Sequence, residues 1–136
     1  MSIWLIIVLG FIAFSFVLAV FVFFKQHSKK RLGQKELNYI HSHWVRIIDM
    51  FSGNPKSSIL DADKLLDYVL KLMGFEGTLG EKLKKAGARF SNKNAVWAAH
   101  KLRNQVAHEL GDINIDEARS ALKAFKQALN DLGARL

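Results

Sequence analysis

Residues 94–110 read NAVWAAHKLRNQVAHEL. With Leu102 placed at zero and each residue advanced by about 100°, the pitch of an α-helix, two faces separate. Ala95, Ala98, Ala99, Leu102, Val106 and Leu110 gather on one side, and His100, Asn104 and His108 gather on the other with Trp97. That division predicts an amphipathic helix from Asn94 to Leu110, stopped by Gly111, with its apolar side in a core. A polar stripe carrying a large aromatic is out of place against water alone, so it reads as one wall of an interface or cleft. Arg103 falls on the border between the faces.

The same period runs outward from this segment. Leu37, Ile40, Trp44, Ile47, Ile48 and Phe51 form a stripe that stops at Gly53. Asn54 and Pro55 suit a helix start, as cap and first-turn residue. They precede a stripe of Ile59, Ala62, Leu65, Leu66, Val69 and Met73, closed by Gly74. A short helix opens on the capping-box pattern Thr78-Leu79-Gly80-Glu81 and closes at Gly87. After Gly111, Asn114 and Glu117 cap a last helix with Ile115, Ala118, Leu122, Phe125, Leu129 and Leu132 on its stripe. No stretch after Phe24 alternates with period two, so the fold class is all-α. Short loops between amphipathic helices favour a small up-and-down bundle of four long helices and one short one.

The chain before Gly33 is of another kind. Residues 3–24 contain no charged residue and are interrupted only by Gly10 and Ser15. At 1.5 Å per residue the run spans roughly 33 Å, enough for a bilayer core of about 30 Å. Nothing basic precedes Trp4, and the run ends in Phe21-Val22-Phe23-Phe24, unlike a cleaved signal peptide. The expected organisation is therefore a transmembrane anchor (1–24), a basic juxtamembrane linker (25–33) and a helical domain (34–136). Lys25, Lys29, Lys30 and Arg31 follow the anchor directly. Basic flanks stay on the cytoplasmic side, so the N-terminus is expected outside and the domain in the cytoplasm of a cell membrane. Residues 3–24 would contact lipid, with Trp4 at the outer interface, and Ser15 and Ala19 form a small-xxx-small pair between anchors.

The absence of cysteine excludes disulfides, a thiolate metal site and a Cys nucleophile. Twenty Lys and Arg against 12 Asp and Glu give a net charge of +8. Lys82, Lys84, Lys85, Arg89, Lys93, Lys101 and Arg103 follow one another with no acid between Lys82 and His108. With His100, that run suits a polyanion such as RNA, although a basic face that serves only solubility has the same composition.

Arg103-Asn104-Gln105-Val106-Ala107-His108 resembles the signature of HEPN domains, in which Arg, often followed by a polar residue, precedes His by four to six residues. Ala62-Asp63-Lys64-Leu65-Leu66-Asp67 is similar to the early helix of small bacterial members, and the resemblance extends over residues 34–136. It implies a metal-independent endoribonuclease that needs no cofactor, or a relative that binds nucleic acid without cutting it. Arg103, His108 and Asn104 are the residues it assigns to catalysis, in a cleft between two protomers. A histidine is suited to proton transfer near neutral pH, and an arginine holds a planar charged fork to phosphate oxygens. Arg103 and His108 diverge by about 140° on an ideal helix, so a homodimer is expected to complete the site. A toxin or defence role would add a cognate inhibitor protein. The competing expectation is a non-catalytic helical module that tethers RNA or a protein to the membrane.

Other patterns carry less. His108-Glu109-Leu110-Gly111-Asp112 lacks the final His of a zinc-protease helix, and Gly111 would end that helix too early. His41 and His43 point apart on a helix, and His100 and His108 are two turns apart. No metal site is expected. Asp63 and Asp67 share a face and read as a solvated or salt-bridged surface. Gly74, Gly77 and Gly80 fit a helix–helix connection rather than a phosphate loop.

Overall fold

Three asparagines set three of the helix starts. The Asn54 side chain accepts from the Ser57 N–H, Asn92 from the Ala95 N–H, and Asn114 from the N–H groups of Asp116 and Glu117. A fourth start uses the Thr78–Glu81 capping box, in which each side chain accepts the other residue's backbone N–H. These caps satisfy donors that a helix start otherwise leaves unpaired. The computed structural model describes residues 1–27 and 31–136. Lys29 and Lys30 of the expected basic linker lie outside the described residues.

The protein is all-helical. In chain order the helices are α1 (Ile3–His27), α2 (Gln34–Phe51), α3 (Pro55–Leu72), α4 (Leu79–Ala86), α5 (Lys93–His108) and α6 (Ile115–Asp131), with a 3₁₀ turn at Gly87–Arg89. Two compact units result, Met1–Lys30 and Arg31–Leu136. The first is α1, whose stretch Ile3–Lys25 is long and apolar enough to cross a membrane. Its large apolar side chains, from Ile3 to Phe24, are exposed.

In the second unit α3 is the hub, packing against α2, α4, α5 and α6. Ile59, Ala62, Leu65, Leu66, Val69 and Leu70 of α3 meet Ile40, Trp44 and Ile47 of α2, Leu83 of α4, and Phe125 and Leu129 of α6 in one core. Ala118, Ala121, Ala124 and Ala128 are buried along α6, where small side chains let neighbouring helices approach. Ser58, fully buried, donates to the Ile47 carbonyl at 2.8 Å and ties α2 to α3.

Several apolar positions depart from the expected stripes. Ile48 and Ile115 are exposed, because only one side of α2 is covered and α6 reaches the core a turn after its start. The helix from Asn94 to Leu110 instead runs from Lys93 to His108, capped by Asn92. Glu109 is already extended, so Leu110 leaves the helix and stands fully exposed instead of entering the core. Ala98 is exposed as well and lines a surface groove between α5 and α6.

The connection from α3 to α4 is tight. Gly74 (φ 90°) lets the Phe75 N–H reach back to the Leu70 carbonyl at 3.1 Å, closing α3. At Gly77 (φ 105°) a Cβ would collide with the Glu81 carboxylate that completes the α4 cap.

Candidate functional site

Asp63 lies in the row Ile59, Asp63, Leu66, Leu70 on the buried side of α3, and only 4% of it is exposed. A carboxylate so placed must find partners or lose its charge. It finds them on α5. Asp63 Oδ1 lies 2.9 Å from His100 Nδ1, and Oδ2 lies 3.3 Å from Arg103 Nε. His100 and Arg103 are three residues apart, so one helix face delivers both. A carboxylate only accepts, so His100 Nδ1 is the donor in this contact and Nε2 is the nitrogen left outside it. Arg103 Nε is buried and ion-paired but not aligned to donate a hydrogen bond, while Nη1 donates to Asn104 Oδ1 at 3.1 Å.

One turn further along α3, Asp67 accepts from Lys82 Nζ of α4 at 2.8 Å. Together these elements enclose a cleft of about 470 Å³, walled by Asp63, Lys64 and Asp67 of α3, by the start of α4 from Gly77 to Gly80, and by His100, Arg103 and Asn104 of α5. The Arg103 guanidinium and the Lys64 ammonium are the cations on the cleft wall. Trp97, half-buried, stands edge-on to His100 with ring centroids 6.2 Å apart, and with Lys101 and Asn104 it lines an adjoining hollow.

Comparison with family models, with curated proteins and with solved structures returns no match. The site therefore rests on its own geometry.

That geometry brings Arg103, Asn104 and His100 together and leaves His108 apart. His108 is exposed at the last position of α5 and is not on the cleft wall. The cations of the basic run are dispersed. Lys82 departs most from an exposed basic face, since it is 5% exposed and committed to Asp67. Lys85 donates to the Glu76 carbonyl at 3.0 Å. The Arg89 guanidinium covers the Phe75 ring at 5.2 Å and reaches Met73 Sδ at 3.6 Å. Lys84, Lys93 and Lys101 are exposed. Among the described residues, no three His, Asp or Glu side chains gather as metal ligands would.

Asp63 is ion-paired, as one of the two expectations for it has it, but it is buried rather than part of a surface. Its signal was its row: an acid at helical spacing between Ile59, Leu66 and Leu70 has no water to face. Arg103 follows from the same point. The inward face of α5 is centred near Ala99, rotated by roughly 60° from a face centred on Leu102, and that rotation brings Arg103 inward.

Proposed function

We propose that the chain is a membrane-tethered, metal-independent endoribonuclease resembling HEPN domains, acting as a dimer in a prokaryotic toxin or defence role. One observation carries this reading: Arg103, Asn104 and His100 share a cleft wall over a buried carboxylate. RNA cleavage without metal needs a base for the 2′-OH, a cation for the phosphorane-like transition state and an acid for the 5′-oxygen. The 2′-oxygen bonds to phosphorus as its proton passes to an imidazole. The bond from phosphorus to the 5′-oxygen breaks as that oxygen takes a proton. The products are a 2′,3′-cyclic phosphate and a 5′-OH.

Arg103 stabilises the phosphoryl oxygens, Asn104 orients substrate, and His108 transfers a proton. His100, held through Nδ1 by Asp63, supplies a second imidazole. Because His108 stands outside its own cleft, a two-fold partner brings the second copy of α5 to the substrate. The anchor raises local concentration and so favours that pairing. Lys25, Lys29, Lys30 and Arg31 orient the domain toward the cytoplasm.

A second reading is a non-catalytic module that holds RNA or a protein partner at the membrane. It is favoured by Asp63, whose two oxygens already engage His100 and Arg103 as a structural clamp would.

The test uses the full chain in non-ionic detergent with labelled single-stranded RNA and EDTA. Wild type is expected to leave 2′,3′-cyclic ends, and His108→Ala to slow cleavage by at least about 100-fold. Arg103→Lys keeps a cation beside Asp63 but loses the planar fork, and it is expected to lose cleavage while remaining folded. A folded, dimeric wild type that leaves RNA intact would overturn the nuclease reading, and retained RNA binding by that protein would then support the second.

A further inference from the structure

On the other side of α3 lies a feature that the cleft does not use. Tyr39 and His43 of α2 and Tyr68 of α3 form a ladder of rings, with Tyr39 centroids 4.1 Å from His43 and 4.8 Å from Tyr68. The ladder lines a groove of about 550 Å³ between the two helices. Tyr39 stays 44% exposed although two rings rest against it. Two cations flank the rings. Arg46 Nη2 lies 3.3 Å from His43 Nδ1, and Lys64, exposed, lines the same groove. Asp61 adds an acceptor on the α3 side.

We propose that this groove is a stacking site for a nucleobase carrying a phosphate, supplied by a single-stranded RNA that continues from the α3–α5 cleft. Every base has a π-face, and stacking on tyrosine recognises it without regard to sequence. Arg46 and Lys64 meet the phosphate, and Asp61 accepts from a ribose hydroxyl or an exocyclic amine. The volume falls within the range of small-ligand sites. Lys64 supplies the continuity, because it lines both this groove and the Asp63 cleft. A strand leaving the cleft therefore crosses that ammonium before reaching the rings. The choice of a strand as the source deepens the RNA reading above and rests on it; the ring ladder and its cations do not.

The experiment measures fluorescence anisotropy of a labelled 2′-O-methyl RNA octamer with the full chain in non-ionic detergent. The methylated strand has no 2′-OH to cleave, so binding is read alone. Tyr39→Ala is expected to weaken binding by about fivefold or more, and Tyr39→Phe to bind within about twofold of wild type because the ring is retained. An octamer carrying 4-thiouridine, photocrosslinked to wild type, should label α2 or α3 peptides containing Tyr39 or Tyr68, a result independent of any variant's folding. Labelled 5′-AMP in a parallel arm separates the sources. Tyr39-dependent binding of the octamer identifies the strand, whereas Tyr39-dependent binding of AMP alone keeps the stacking site and overturns the strand. No binding of either, or crosslinks confined to other helices, overturns the proposal. Cleavage of unmodified RNA by the same variants keeps the two ideas apart. Tyr39-dependent binding without cleavage leaves this groove and removes the nuclease, and cleavage with Tyr39-independent binding does the reverse.

Discussion

Replacing Asp63 by Ala removes the one acceptor that His100 and Arg103 share and leaves two polar groups facing a packed helix. The expected loss is about 3 kcal/mol, typical of breaking a buried ion pair from one side. Lys64→Ala, next to it but exposed, should stay within about 0.5 kcal/mol. Thermal unfolding followed by circular dichroism compares the two, and equal effects would show that Asp63 is not the clamp. Asp131 gives a different residue-scale prediction. Burial pushes its carboxyl upward, but the hydrogen bonds from the Ser91 N–H, the Ser91 hydroxyl and Gln127 outweigh it and hold the pKa below 3.8. The ionised form is favoured by the fold. Its stabilisation is therefore present above the ordinary carboxylate pKa and lost as pH falls through the lowered folded value. Asp131→Asn should consequently flatten the acid limb of a stability–pH profile while leaving its slope near neutrality unchanged.

At the scale of elements, α4 is only eight residues long and depends on its start. Gly77 supplies the left-handed backbone there and leaves room for the Glu81 carboxylate. Gly77→Ala should cost about 1–2 kcal/mol from the backbone alone, and more through the lost cap. Because the start of α4 forms one wall of the cleft, amide exchange at Glu81 and Lys82, whose N–H groups bond to Thr78, should accelerate in this variant before the α2–α3 pair is affected. A uniform change across all helices would contradict that local role. The orientation of α5 is the other element-scale result. Its alanines were visible as an apolar side, but alanine fits core and surface alike, so composition fixed the face only loosely. Packing against α6 and α3, which buries Val96 and Ala99, together with the Asp63 carboxylate that holds His100 and Arg103, decides the angle. The early end of α5 has a similar origin. Glu109 turns extended ahead of Gly111, so the last predicted core residue, Leu110, never reaches the core.

For the whole molecule, residues 31–136 own a continuous core assembled from α2 to α6. That unit, expressed without residues 1–30, should be soluble, helical and cooperative in unfolding, with circular dichroism and a thermal melt as the check. A non-cooperative melt would mean that the anchor contributes to the fold. The +8 charge has a whole-molecule consequence as well. Any RNA binding should weaken steeply with salt because phosphate contacts release counterions. Stacking in the tyrosine groove would leave a residue of affinity that salt does not remove.

The sequence by itself determined the apolar run of α1, the all-helical class and most helix starts. These depend on hydrophobic period and on caps whose partners lie within three residues, and such interactions are written locally. It also placed His100, Asn104 and His108 on one stripe of one helix with Arg103 at its border, of which the cleft takes all but His108. Only the tertiary structure decided what they face. Asp63 is 37 residues from His100, and no local pattern pairs them; the packing of α3 against α5 does. Lys82 shows the same division. Its place in a run of cations reads as surface until α4 folds onto α3 and sets the ammonium on Asp67. Helix formation is a short-range choice, whereas the rotation of each helix about its axis, and therefore the partner of every buried charge, is set by its neighbours.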